Sequence, residues 1–492
     1  MPEPLILNPA DNVAILTEKG VAAAGHKIAR QPIARGAPVI KYGQVIGYAT
    51  EAIAAGGHVH SHNCIFGEHG RDFDPGSGLA AARRAVARHA GAGLSFQGYR
   101  RSDGQIGTRN YLALVATVNC SATVIRRAAE EIRIEGVLDG YPNVDGVVAF
   151  AHGSGCGMAD SGPGWQALQR VLTGHAGHPN VGAALFVGLG CEVMQIARMK
   201  QDLGAAARFF GLTIQDNGGT RRTIDAIKAR IREMLPALNE TVRETVPASA
   251  LRIGLQCGGS DGFSGITANP ALGIASDILV AQGASVVLSE TPEIYGAERL
   301  LLDRAATPEV ADKLLGQLRW WERYAAQNGA SLDNNPSPGN KAGGLTTILE
   351  KSLGAIAKGG NAPLEAVLDY AEPITMPGLN FMDTPGYDPV SVTGQIAGGA
   401  QIIVFTTGRG SAFGSKPAPT IKIATNDRLF AAMPDDMDMN CGDVVSQAVP
   451  LEAKAREIVA LILATASGQV TRSEGLGLGD NEFVPWQIGA VL

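Results

Sequence analysis

The side chains of this 492-residue chain that can do chemistry gather in a few glycine-rich stretches. Cys120, Cys156, Cys191 and Cys257 each follow an apolar run, at 112–118, 147–151, 183–188 and 251–255. Runs of that kind read as strands, so each thiol is expected just past a strand's carboxyl end. In open parallel sheets that edge binds ligands. No two of the four form a Cys-x-x-Cys pair, which excludes a zinc ribbon or a ferredoxin-type motif. Thiolates brought together from separate loops suit an iron–sulfur cluster, zinc or iron. Cys64 and Cys441 lack the strand-end position and are weaker candidates.

All nine histidines lie at or before His178. His58, His60 and His62 alternate, so a strand through them presents three imidazoles on one face. That face suits a metal or acid–base chemistry, with His26 and Lys41 as possible additions. His152, beside the Cys156 loop, is a separate acid–base candidate. His175 and His178 read as surface loop residues. The C-terminal half supplies oxygen ligands and cations. GGSDGFSG at 258–265, with Ser260 and Asp261, offers backbone N–H groups to an anion. Glu290 and Glu293 follow an apolar run at 285–288. NPSPGNKAGG at 335–344 carries Asn340 and Lys341, and TTGRG at 406–410 carries Arg409. Lys341 and Arg409 suit a substrate carboxylate.

Positioning these residues requires several domains. Residues 1–74 show short strands with glycine turns, a small β module. Residues 75–97 read as a linker with a short basic helix at 81–89. Residues 98–240 alternate strand and helix, as do 250–492, which implies two α/β domains with mainly parallel sheets. Helices are expected at 122–134, 164–172, 194–202, 222–234, 270–281, 307–325 and 451–465, with Thr307 as an N-cap. A strand is expected within 207–214.

Composition excludes several classes. A hydrophobic content of 45% rules out wholesale disorder, and a net charge of −6 argues against nucleic acid or an acidic membrane surface as partner. Six scattered cysteines make no disulfide scaffold. No apolar stretch is long enough for a membrane span, and the N-terminus has no signal-like segment, so a cytoplasmic protein is expected. GSGCG at 153–157 matches a dinucleotide loop only in part, and no Walker A motif is present.

Together these motifs resemble the altronate/galactarate dehydratase family. The resemblance rests on 258–270, 335–344, 407–410, GLGCE at 188–192 and RRSDGQIGTRN at 100–110. It rests also on an N-terminal block like that family's SAF-type β-clip domain, carried by GHK at 25–27, VIKYG at 39–43 and HVHSHN at 58–63. The last string is closest to the altronate branch, and 436–442 is a family-like segment that includes Cys441. The fold it implies is a β-clip domain, then an α/β domain with cysteine loops, then a Rossmann-like α/β domain. The activity it implies is iron-dependent dehydration of a sugar acid, D-altronate first. Galactarate dehydration, sulfolactate cleavage and non-catalytic sugar-acid binding remain open. Iron, as Fe2+ or a cluster, is expected on Cys120, Cys156, Cys191 and Cys257. Expected catalytic residues are His60, His62, His152 and Lys341. Ser260, Asp261, Asn340, Lys341 and Arg409 are expected to bind substrate, in a homo-oligomer, a dimer.

Overall fold

The computed structural model describes residues 3–67, 70, 73–91, 93–204 and 208–489. Ala92 of the expected linker and Ala207 of the expected strand lie outside the described residues. The chain is mixed α/β, with a small sheet domain at its N-terminus followed by parallel sheets flanked by helices.

The N-terminal domain holds two antiparallel three-stranded sheets. One joins Val13–Ile15, Lys27–Ala29 and His58–Val59, the other Pro38–Lys41, Gln44–Ala49 and Cys64–Ile65. The hairpin of Pro38–Lys41 and Gln44–Ala49 turns at Tyr42 and Gly43, both at positive φ. A small core of Val13, Val39, Ile46, Val59 and Cys64 closes the module.

The segment expected as a linker is structured in part. It contains the helix Leu79–Ala87, and Ser95 opens the strand Ser95–Arg100. That strand pairs antiparallel with Arg243–Pro247 and Ile106–Gly107, a three-stranded sheet the sequence reading left out.

Strand–helix alternation then builds a four-stranded parallel sheet in the order Gly146–Phe150, Tyr111–Ala116, Val181–Gly188, Phe209–Thr213. Its inner strand Tyr111–Ala116 is buried throughout, as a sheet covered on both faces requires. The third block is a seven-stranded parallel sheet. Its order is Leu364–Leu368, Gly378–Met382, Ser285–Ser289, Arg252–Cys257, Ile402–Thr407, Thr420–Ala424 and Met439–Asn440. Thr307 caps the helix Pro308–Gln327 through its side chain, as expected. Arg109 joins the two α/β blocks, with Nε and Nη2 on the Glu474 carboxylate and Nη1 donating to the Thr465 carbonyl.

Candidate functional site

The carboxyl edge of the seven-stranded sheet collects most of the expected residues. Cys257 ends the strand Arg252–Cys257, and the loop after it runs between two others. Gly408 and Arg409 donate backbone N–H groups to the Gly259 carbonyl, at 3.1 and 2.8 Å. On the other side the Asn340 amide donates to the Ser260 carbonyl at 2.9 Å. Lys341 and Arg409 therefore flank one loop.

Within it, Asp261 is fully engaged. It accepts hydrogen bonds from the Phe263 and Ser264 backbone, the Ser264 and Thr425 hydroxyls and the Asn426 amide. Burial pushes its carboxyl up, and those donors oppose the shift. Asn340 is tied as well, in a capping box with Ser337. Both residues shape the loops. Ser260 makes no side-chain hydrogen bond among the described residues. Arg409 is exposed and Lys341 half-buried.

The β domain docks on this edge. Gly262 meets Gly25 so closely that a Cβ there would lie 1.9 Å from the Gly25 carbonyl oxygen. Lys27 donates to both Glu350 oxygens, at 3.0 and 2.8 Å, and Lys41 donates to the same carboxylate at 2.8 Å. All three are buried. Burial alone would raise the Glu350 carboxyl, but the two lysines hold it well below the ordinary range.

Docking sets four histidines over the loop 335–344. The strand His58–Val59 ends before His60, contrary to the expected continuous strand. Asn63 explains the turn: its side chain accepts from the His60 N–H and donates to the His58 carbonyl. The rings still gather, with His58 5.4 Å from both His60 and His62 and His26 5.0 Å from His60. His60 Nε2 donates to the Lys341 carbonyl at 2.8 Å, and Ser61 Oγ lies 2.9 Å from Nδ1. The carbonyl partner places a proton on Nε2, and burial favours the uncharged ring. His26 Nδ1 lies 3.0 Å from His58 Nε2. Burial, then the neighbouring histidines, lower His58 to about 4, and burial lowers His26 and His60 too. His62 is exposed and makes no hydrogen bond among the described residues.

Beneath the loops lies a group that only partly entered the sequence reading. One donor atom each from Cys257, Glu290 and Glu293 lies within 4.8 Å of the others, all buried, a spacing able to hold a metal ion. Lys358 donates to Cys257 Sγ at 2.8 Å, and Lys351 donates to Glu293 Oε1 at 2.6 Å. Asp388, raised by burial to about 6, accepts from Gln256 beside it. Gly258 gives Asp388 room, since a Cβ there would be 2.4 Å from its oxygen. Lys351, Lys358 and Asp388 were missed. For the two lysines the available signal was charge inside the apolar stretch 345–359, which is unusual unless buried charges pair.

Cys257 thus stands apart from the other three thiols. Cys120, Cys156 and Cys191 follow three adjacent strands of the four-stranded sheet. Backbone bonds from Asn119 to Ser154 and from Val193 to Gly155 tie their loops together. All three are exposed. Beside Cys156 opens a cavity of about 420 Å3 lined by Asn119, His152, Ser154 and Gln487. His152 is buried, donating from Nε2 to the Ala116 carbonyl and accepting the Ser154 N–H at Nδ1. Burial lowers it to about 4. His178, expected on the surface, is buried with the same pattern, between the Ala400 carbonyl and the Asn180 N–H. His175 is buried as well.

The domain order, the loop cluster and the docked β domain define a family. Residues 17–66 match the altronate/galactarate dehydratase SAF domain. Residues 98–239 match the D-galactarate dehydratase/altronate hydrolase second domain, and 248–491 the D-galactarate/altronate dehydratase C-terminal domain. The chain belongs to the altronate/galactarate dehydratase family. It is 38% identical over 454 residues to the altronate dehydratase of Bacillus subtilis, covering 92% of this chain and 88% of that one. It is 36% identical over 476 residues to the altronate dehydratase of Escherichia coli, covering 94% and 91%. The galactarate dehydratase (L-threo-forming) of Escherichia coli is 37% identical over 488 residues, covering 94% and 92%.

Proposed function

We propose that the protein is a hydro-lyase that converts a sugar acid, D-altronate, to a 2-keto-3-deoxy acid. The observation that carries this is the hydrogen bond from His60 to the Lys341 carbonyl, which seats the histidine cluster on a cation-bearing loop at the sheet edge. The C2 proton and the C3 hydroxyl leave together as water, and the enol that remains becomes the 2-keto acid. A weakly acidic C–H and a poor leaving group call for a carboxylate clamp, a base and an acid. Lys341 and Arg409 clamp the carboxylate, and the Ser260 hydroxyl takes a substrate hydroxyl. His62, whose ring makes no hydrogen bond among the described residues, removes the C2 proton. His60, both of whose nitrogens are engaged, holds the turn in place. Asp261 and Asn340 fix the loops around the acid, and His152 fixes the loop of Cys156.

Iron, as Fe2+ or an iron–sulfur cluster, is the cofactor of the same proposal. Cys120, Cys156 and Cys191 fit it by donor chemistry, as exposed soft ligands on three tied loops. Bound there, it would supply Lewis-acid chemistry. A cytoplasmic homodimer belongs to the proposal too, and light scattering of the purified protein reads its mass. The test of activity is an anaerobic panel of aldonates and aldarates with iron, read as 2-keto-acid formation. D-Altronate should be the best substrate. Faster turnover of galactarate, or sulfite released from sulfolactate, would reassign the activity within the family. Melting shifts with no turnover of any acid would make the chain a binding protein.

A further inference from the structure

The cavity beside Cys156 has no part in the chemistry above, and its walls are firmly held. At about 420 Å3 it has the size of a small-molecule pocket. One wall is the segment 483–489 near the C-terminus, which is pinned along its length. The Phe483 ring packs 5.1 Å from Phe150 and 4.7 Å from His175. The Val484 N–H donates to the Thr393 hydroxyl at 2.9 Å, and the Trp486 N–H to the Tyr370 hydroxyl at 3.2 Å. Trp486 also stacks on Trp321, with ring centres 5.5 Å apart and planes 4° from parallel. The Ile488 carbonyl rests on Gly164, where a Cβ would lie 2.1 Å from its oxygen. Facing this wall are Met158 and Leu168, so half of the cavity is apolar.

The polar half is one face of the helix Asn119–Ile134, which presents Asn119, Thr123 and Arg126 one turn apart. All three are exposed, and their side chains make no hydrogen bond or ion pair among the described residues. Gln487 stands across Gly153 from them, and its side chain is likewise unbonded. A Cβ on Gly153 would lie 4.0 Å from the Asn119 and the Gln487 amide nitrogens alike, so the two amides converge. His152 spends both ring nitrogens on the backbone and adds no charge. Among the described residues none that line the cavity is acidic, and Arg126 supplies its formal charge.

We propose that this cavity binds an organic carboxylate with an apolar body, at a site separate from the histidine-covered edge of the seven-stranded sheet. The carboxylate takes hydrogen bonds from the Arg126 guanidinium, a planar fork that matches it, and from the Asn119 and Gln487 amides. The body lies among Met158, Leu168, Phe483 and Trp486, and its burial supplies the rest of the affinity. A polyhydroxy acid fits poorly, because its hydroxyls would lose water against that wall without finding partners there.

The test reads binding and not turnover, so its failure would leave the dehydratase proposal standing. Full-length protein purified anaerobically with iron is titrated with 3-phenylpropionate and with the uncharged 3-phenylpropan-1-ol, followed by ligand-observed NMR. The acid should bind with a Kd on the order of 1 mM, and the alcohol at least about tenfold more weakly. Arg126→Met should bring the acid down to the alcohol and leave the alcohol unchanged, a pattern that a folding defect does not produce. Gly153→Leu, whose side chain grows into the cavity, should block both. Should that variant fail to fold by circular dichroism, Arg126→Met at its exposed position decides alone. Excess D-gluconate should not displace the acid. No binding of the acid at about 10 mM, a preference that survives Arg126→Met, acid binding untouched by a folded Gly153→Leu protein, or displacement by D-gluconate would overturn the site.

Discussion

His62 and His60 differ in their bonds, and the difference predicts different losses. His62 makes no hydrogen bond among the described residues, so His62→Ala should lower kcat about 100-fold or more with little change in KM. His60→Ala should loosen the Lys341 loop and raise KM as well, and steady-state kinetics on the best acid separates the two. The buried histidines predict acid sensitivity. His178 accepts an N–H at one nitrogen and donates from the other, so a second ring proton has no acceptor. Burial lowers it from 6.5 to about 3, and His175 to about 4. The unfolded chain takes up these protons below about 6.5 and the folded chain does not, so stability is present above that pH. It should fall steadily from about pH 6.5 toward 4, by on the order of 3 kcal/mol for His178 alone. Urea midpoints across that range check this, and His178→Gln should flatten the slope.

Among elements, the docking of the β domain turns on one carboxylate in the helix Ile348–Ile356. Glu350 neutralises two buried lysines from two different strands, and also accepts from Thr346. Glu350→Gln removes the carboxylate that offsets them and should cost about 3–5 kcal/mol. The loss should appear as a lower melting temperature and as proteolytic release of the N-terminal domain, and Lys27→Met should restore part of it. Gly262→Ala, whose Cβ would strike the Gly25 carbonyl, should undock the same surface without touching a charge. A variant with both changes and an unaltered proteolytic pattern would show that docking rests elsewhere.

At the scale of the molecule, two parallel sheets each present a carboxyl edge with its own donors. The four-stranded sheet carries three exposed thiols, and the seven-stranded sheet carries the buried thiol and carboxylates. Replacing Cys120, Cys156 and Cys191 by serine should remove iron from protein purified anaerobically with iron present, by metal analysis and visible absorbance. Iron retained in full by that variant would detach these cysteines from the cofactor. Among the described residues no helix is long and apolar enough to cross a membrane.

Much of this was already legible in one dimension. Alternating apolar runs and amphipathic stretches specified the strands, helices and parallel sheets, because a buried strand must be apolar along its length and a helix on one face. Strand-end position picked out Cys120, Cys156, Cys191 and Cys257, and glycine-rich loops picked out Ser260, Asp261, Lys341 and Arg409. Tertiary structure decided which of them meet. It separated Cys257 from the other thiols, because the chain closes one sheet before starting the next, and local pattern carries no record of that break. It spent the hydrogen bonds of Asp261, Asn340 and His152 on loops, since a polar group's availability depends on partners far along the chain. It brought Lys351, Lys358 and Asp388 to Glu290 and Glu293, because a buried charge is tolerated only where the fold supplies its counterpart.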